Sequence, residues 1–250
     1  MIAPTAAAAV VTGHTRGLGA GIASHLLARG VRVLGLARHG NAELAERHGD
    51  ALKEVELDLA DPAALVAWLR GETLGHFLRR SERALLVNNA GLLQPIGPLE
   101  TQDVATVARA VAVNVAAPLA LSAAFVAATP NARDRRILHV SSGAGRKPYA
   151  GWGVYCATKA ALDHHARAVT LDRTAALRIS SVAPGAIETD MQAEIRATTD
   201  ARFPDRQRFV DMQREGRLRD PDEAGRAVVE FLLSDAFGSE PVADLRRMPV

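Results

Sequence analysis

The sequence predicts an α/β fold: a doubly wound parallel sheet with helices on both faces, in a single domain spanning 1–250. Short apolar runs alternate regularly with longer amphipathic segments along the chain. Regular alternation of largely apolar strands with helices implies a parallel sheet covered on both faces. At 250 residues and 48% hydrophobic content, the chain can build one sizeable core. No repeat, low-complexity linker or charge block marks a boundary. Right-handed crossovers then give a doubly wound sheet, which binds ligands at the carboxyl ends of its strands.

In order, Ala7–Val11 reads as the first strand and Leu18–Arg29 as the first helix. Arg32–Leu36 and Lys53–Leu57 are strands, followed by a helix near Ala63–Leu69 and a strand at Ala84–Val87. Asp103–Ala128 reads as one long helix, its face rich in Val and Ala. Ile137–Val140 is a strand, Trp152–Thr174 a second long helix, and Arg178–Val182 another strand. Asp222–Leu233 is helical, and Pro241–Leu245 is a last strand. Thr189–Arg219 is polar and breaks the alternation, which reads as helical excursions forming a substrate lid over the strand ends. Gly13, Asn89, Ser142 and Pro184 each follow a strand, where a ligand would bind.

Thirty Lys and Arg against 28 Asp and Glu leave a net charge of only +2. The basic residues lie scattered among acids, a solvated mixed surface rather than a nucleic-acid footprint. No apolar run is read as a membrane span, and the N-terminus lacks the basic region of a signal peptide. The single cysteine, Cys156, excludes an internal disulfide framework and points to a reducing, cytoplasmic setting. It has no evident base beside it and reads as a small buried thiol. The eight histidines show no metal-ligand spacing, so no metal is expected.

The first strand runs into Thr12-Gly13-His14-Thr15-Arg16-Gly17-Leu18-Gly19. Glycines permit a tight turn and close approach of backbone to a pyrophosphate, and the next helix points its free N–H groups at that anion. The end of the second strand, Ala37-Arg38-His39, lacks the acidic residue that would bond the adenosine ribose of NAD. Arg16 and Arg38 together could clamp a 2′-phosphate, which favours NADP(H). Asp58, ahead of Leu59, is either an acceptor for the adenine amino group or a turn aspartate. Asn88-Asn89-Ala90-Gly91 follows the fourth strand, where asparagine can bond backbone across neighbouring strands or simply form a turn.

Tyr155 and Lys159, four residues apart on a helix, share one face. A lysine cation beside a phenol is expected to lower the phenol pKa and make it a proton donor and acceptor near neutral pH.

These strings resemble the short-chain dehydrogenase/reductase family: Thr-Gly-x-x-x-Gly-x-Gly at 12–19, Asn-Asn-Ala-Gly at 88–91, Asn114, Ser142, Tyr155-x-x-x-Lys159 and Pro184-Gly185. The resemblance implies a Rossmann-like sheet, a nicotinamide cofactor and hydride transfer to or from a carbonyl or alcohol carbon. It assigns proton donation to Tyr155, phenol tuning and ribose binding to Lys159, and stabilisation of the substrate oxygen to Ser142. Asn114 would hold a water that links the lysine to solvent. Pro184, Gly185, the backbone at Ile187 and the hydroxyl of Thr189 would bind the carboxamide.

A narrower resemblance, through Gly151-Trp152 before the tyrosine and Cys156 after it, is to the branch holding sepiapterin reductase and bacterial benzil reductase. Asp244 resembles the C-terminal aspartate that anchors the pterin in that branch. Tyr149 and Trp152, with Leu93, Gln94 and Met191, would line an aromatic substrate pocket or serve core and dimer packing. The expected activity is NADPH-dependent reduction of a ketone, diketone or pterin-like carbonyl. The alternatives are a 3-oxoacyl carrier-protein reductase and a non-catalytic NADP-binding regulator. The resemblance also implies a homodimer or homotetramer.

Overall fold

The computed structural model describes residues 5–247. Its strands are β1 (Thr5–Thr12), β2 (Arg32–Ala37), β3 (Leu52–Glu56), β4 (Ser81–Asn88), β5 (Asp134–Val140), β6 (Leu177–Ala183) and β7 (Val242–Asp244). All pair in parallel, in the spatial order β3-β2-β1-β4-β5-β6-β7. The order reverses between β1 and β4, and that switch opens a crevice at the strands' carboxyl ends.

The helices are α1 (Gly17–Ala28), α2 (Ala42–His48), α3 (Pro62–Arg70), α4 (Thr73–Leu78), α5 (Val104–Val111), α6 (Ala117–Ala128), α7 (Gly153–Leu171), α8 (Asp190–Ala197), α9 (Arg206–Arg214) and α10 (Pro221–Leu233). Several starts are encoded locally. Asp61 accepts from the Ala63 and Ala64 N–H groups with Pro62 at the first helical position, and Asp220 repeats this with Asp222, Glu223 and Pro221. Such caps hold the otherwise orphaned amides at about 1 kcal/mol each.

The strands bury side chains on both faces. Ala9 and Val11 of β1 join Ile22 and Leu26 of α1 and Val228 and Leu232 of α10. Ala8 and Val10 face the other way, with Leu65, Phe77, Leu121, Phe125 and Ala166 from α3, α4, α6 and α7. Helices α1 and α10 cross at Gly21 and Gly225, where a Cβ on either would lie within 2.7 Å of the opposite backbone. A smaller third cluster, Leu93, Ile96, Trp152, Tyr155, Ile195, Phe203 and Phe209, attaches α8 and α9 to the strand ends.

Three features depart from the sequence reading. Helices α2 and α4 were not anticipated; they have seven and six residues, too few to display a helical period. The expected long helix over 103–128 is interrupted by a π turn at Ala112–Ala116, which contains Asn114; such turns often mark functional sites. Finally, Val104–Ala128 is long and apolar enough to cross a membrane, contrary to expectation. Its inner side chains Val113, Ala117, Leu121 and Phe125 are buried in the fold, as in a core helix.

Candidate active site

A cleft of about 930 Å³ runs along the carboxyl ends of the strands. Its outer end is built by the β1–α1 loop. Gly13 and Gly17 have φ of +67° and +52°, a conformation open to glycine but strained for other residues. A Cβ on Gly19 would lie 1.9 Å from the Gly13 carbonyl oxygen. Asn89 Nδ2 donates to the carbonyls of Thr12 (2.9 Å) and Gly13 (3.1 Å), while Thr12 Oγ1 accepts from the N–H groups of Asn89 and Ala90. The loop is thus tied to the end of β4, with the free N–H groups of α1 beneath it. Gly13, Thr15, Arg16, Gly17, Leu18, Gly19, Asn89, Ala90 and Gly91 all line the cleft. This bare-backbone cradle at a helix N-terminus fits the pyrophosphate of a dinucleotide.

Arg16 and Arg38 also line the cleft. Arg38 makes no side-chain hydrogen bond or ion pair among the described residues, whereas Arg16 Nη1 meets Asp190 Oδ2 of α8 at 2.5 Å across the cleft mouth. Both members of that pair are largely exposed, so water and salt weaken it. Asp58 and Leu59 line the same end, but the aspartate is engaged. Its Oδ1 accepts from the Ala60 N–H at 2.9 Å and its Oδ2 from Arg109 at 3.0 Å. Those bonds hold its carboxyl below the usual range.

At the inner end, α7 brings Tyr155 and Lys159 together. Lys159 Nζ lies 5.6 Å from the Tyr155 ring centroid and donates to the Val140 carbonyl at 2.8 Å. Ser142 follows β5 and accepts from the Ala144 N–H, on the same side of the cleft as Tyr155. Burial pushes the Tyr155 phenol up to about 12, with Ser142 opposing it. Burial pushes Lys159 down to about 8, with the nearby Asp163 carboxylate opposing it. The sequence expectation of a lowered tyrosine pKa is therefore corrected: desolvation of the phenolate outweighs the opposing influence of Ser142. The phenol stays protonated at neutral pH.

Asn114 is buried, and both ends of its amide are bonded. Oδ1 accepts from the Leu92 N–H and Nδ2 donates to the Leu92 carbonyl, each at 2.7 Å, and Nδ2 also reaches Thr158 Oγ1. The side chain fixes the Gly91–Leu92 segment beside Lys159 and does not line the cleft. Pro184, Gly185, Ile187 and Thr189, after β6, do line it.

The substrate end is aromatic. Trp152 stacks on Phe203 with centroids 4.4 Å apart and meets Tyr155 edge-on at 5.5 Å, with Tyr149 at 5.2 Å. Met191 Sδ accepts from the Tyr155 hydroxyl, and Gln94 bridges to Glu194 of α8. Leu93, Gln94, Tyr149, Trp152 and Met191 all line the cleft. Asp244 does not. Its carboxylate is forked by Arg246, with Arg146 3.9 Å away. The carboxylate expected to face a substrate is therefore held in an internal ion cluster, and Arg246 lines the cleft instead. Ile195, Arg208, Phe209 and Met212 also line it and were missed in the sequence; the apolar spacing of Phe209 and Met212 on one face of α9 was the available signal. Among the described residues, no group of three or more His, Cys, Asp or Glu is placed to hold a metal.

The glycine loop, the Asn89 tie and the Ser142–Tyr155–Lys159 grouping occur together at one crevice. The family model described as short chain dehydrogenase matches residues 7–200. The chain belongs to the short-chain dehydrogenase family. Benzil reductase ((S)-benzoin forming) of Bacillus cereus is 32% identical over 236 residues, covering 91% of this chain and 94% of that protein. Sepiapterin reductase of Meriones unguiculatus is 32% identical over 248 residues, covering 93% and 94%. A crystal structure of a short-chain dehydrogenase/reductase from Burkholderia vietnamiensis is 52% identical, with a TM-score of 0.72 and coverage of 99% and 100%. The branch inferred from Gly151-Trp152 and Cys156 is thus the one its relatives occupy. Membership makes the chain an oxidoreductase of the type that uses NAD(P)(H) and acts on small molecules.

Proposed function

We propose that the protein is an NADPH-dependent carbonyl reductase that converts a ketone, diketone or pterin-like carbonyl to an alcohol. The observation that carries this reading is the grouping of a buried Tyr155 with Ser142 and Lys159 at the aromatic end of the cleft. The nicotinamide cofactor supplies the hydride when bound. Arg16 and Arg38 would hold its 2′-phosphate, the exposed Arg16–Asp190 pair yielding readily. The glycine loop would hold its pyrophosphate, Asp58 and Leu59 would flank its adenine, and Lys159 would hold its nicotinamide ribose. Pro184, Gly185, Ile187 and Thr189 would hold its carboxamide.

Tyr155 gives its phenol proton to the carbonyl oxygen as that oxygen gains negative charge. Ser142 donates a hydrogen bond to the same oxygen, stabilising charge that grows toward the transition state. As the proton leaves, Lys159 stabilises the phenolate electrostatically. Asn114 positions the Gly91–Leu92 segment beyond β4 that packs beside the lysine. Helices α8 and α9 form the lid, and Trp152, Tyr149, Phe209 and Met191 give it an apolar, aromatic interior suited to an aryl ketone.

The single cysteine accords with a cytoplasmic setting. Leu99 and Val104, about four-fifths exposed beside a groove shared by α5 and α7, supply an apolar face for a homodimer. The test of the function is a panel of aryl ketones and diketones, benzil included, followed by NADPH absorbance. Turnover of aromatic dicarbonyls with NADPH supports the reading. No turnover of any carbonyl, or equal use of NADH, refutes it.

A further inference from the structure

The glycine loop of this chain carries a histidine directly after its first glycine, and its side chain does not face the cleft. His14 is fully buried and lies over Gly35 of β2. A Cβ on Gly35 would sit 2.5 Å from the imidazole ring, so the strand leaves a gap that the histidine fills. The ring thereby reaches the next strand. Gly35 is the register partner of Glu54 on β3, and His14 Nε2 meets Glu54 Oε1 at 2.6 Å.

The same carboxylate oxygen accepts from the Asn41 N–H at 2.7 Å. Its other oxygen packs against Gly40, where a Cβ would lie 3.2 Å away. Asn41 closes the circuit: its Nδ2 donates to the Thr15 carbonyl at 3.1 Å, and its Oδ1 caps α2 through the Leu44 N–H. Two bridges therefore join residues 14 and 15 of the glycine loop to residue 41 of the β2–α2 turn. Arg16 lies two residues beyond His14, and Arg38 three before Asn41. The bridged ring spans the two segments that carry these guanidinium groups.

We propose that Glu54 and His14 are positioning residues for cofactor selectivity. By locking the glycine loop to the β2–α2 turn, they set the separation of Arg16 and Arg38 and so the fit of a 2′-phosphate between them. Neither touches the cofactor. The inference rests on the NADPH reading above and adds a device to it: bidentate recognition of a phosphate by two arginines depends on their spacing, and loosening one anchor discards that geometry while the pyrophosphate cradle, held by Asn89 from the other side, stays intact.

The test is calorimetric binding of 2′,5′-ADP and 5′-AMP to the full-length protein, with a thermal melt of each variant as the control for folding. Wild type is expected to prefer 2′,5′-ADP by at least about tenfold, the worth of one or two charge-assisted bonds. Equal affinities there overturn the NADPH reading itself, whatever Glu54 does. If wild type discriminates, Glu54→Leu is expected to lower the ratio about tenfold while 5′-AMP affinity changes little. Glu54→Gln, whose amide oxygen still accepts from Asn41 and His14, is expected to keep the ratio near wild type. A folded Glu54→Leu with the wild-type ratio overturns the inference. So does equal weakening of both ligands, which marks general loop stability, or a raised ratio, which marks simple charge repulsion. Should Glu54→Leu not fold, His14→Phe fills the space over Gly35 without the bond and is expected to lose the same discrimination; a retained ratio overturns the proposal.

Discussion

Replacing Lys159 by methionine separates what this residue does for chemistry from what it does to the fold. The ammonium is about 4% exposed, and burial lowers its pKa from 10.5 to about 8. That difference disfavours the charged form in the folded protein by about 3 kcal/mol at neutral pH. Methionine has a similar length and no charge, but it gives up the charge-assisted bond to the Val140 carbonyl, a loss of about 2 kcal/mol. Lys159→Met should therefore be more stable than wild type by about 1 kcal/mol, or roughly 2–4 °C in Tm for a chain of this size.

The pH dependence has a definite sign. The folded pKa lies below the unfolded one, so between about pH 8 and 10.5 the unfolded chain binds the extra proton. Wild-type stability rises with pH across that window, and the advantage of the variant shrinks. Thermal melts at pH 7 and pH 10 measure both effects, with carbonyl reduction followed in parallel. A variant less stable than wild type at pH 7 would refute the account of a destabilising buried cation, and one with full activity would refute its catalytic role.

Other outcomes follow from the same geometry. Arg38→Asp should lower kcat/KM for NADPH about 10–100-fold while leaving NADH within a few-fold; steady-state kinetics with both cofactors check it, and equal losses would refute the 2′-phosphate assignment. Ser142→Ala should lower kcat about 10²–10³-fold with little change in NADPH affinity, as expected for removal of one donor to the developing oxyanion. At the opposite end of the sheet, Asp134 is bonded by Arg83, Arg136 and Arg178. Burial opposes its ionisation, but those bonds win and hold it at about 2. Asp134→Asn should cost about 3 kcal/mol at pH 7, since Arg136 is left buried without its counter-ion. The deficit should shrink as the pH falls from 4 toward 2, where wild type loses the same charge; denaturant melts across that range measure it.

Much of this was legible in the sequence for identifiable reasons. Parallel strands buried on both faces carry short apolar stretches such as Ala84–Val87 and Ile137–Leu138, so β1, β4, β5 and β6 stand out, and the residues after them fall at one end of the sheet by topology alone. The pairing of Tyr155 with Lys159 follows from helical spacing. What escaped were contacts between residues distant in the chain. The tyrosine pKa depended on how deeply the phenol is buried, which spacing does not encode. Asp244 is expected from the resemblance to anchor a substrate, but Arg246, two residues on, and Arg146, 98 residues earlier, hold its carboxylate instead. The role of His14 required knowing that Gly35 and Glu54 are neighbours across β2 and β3. Helices α8 and α9 fall within the polar stretch 189–219, but which of their side chains face the cleft is set by the packing of Phe203 and Phe209 against Trp152.

The central claim is that Tyr155 holds a proton at neutral pH and delivers it to a carbonyl oxygen. The direct measurement is the steady-state rate of NADPH oxidation at pH 7 with benzil, or with the best carbonyl found in the panel, for wild type and Tyr155→Phe. Phenylalanine keeps the ring against Trp152 and removes only the hydroxyl. Wild type is expected to turn over, and the variant to fall by about 10²–10⁴-fold, the usual worth of a positioned general acid, while still binding NADPH. Turnover of Tyr155→Phe at the wild-type rate would contradict the account.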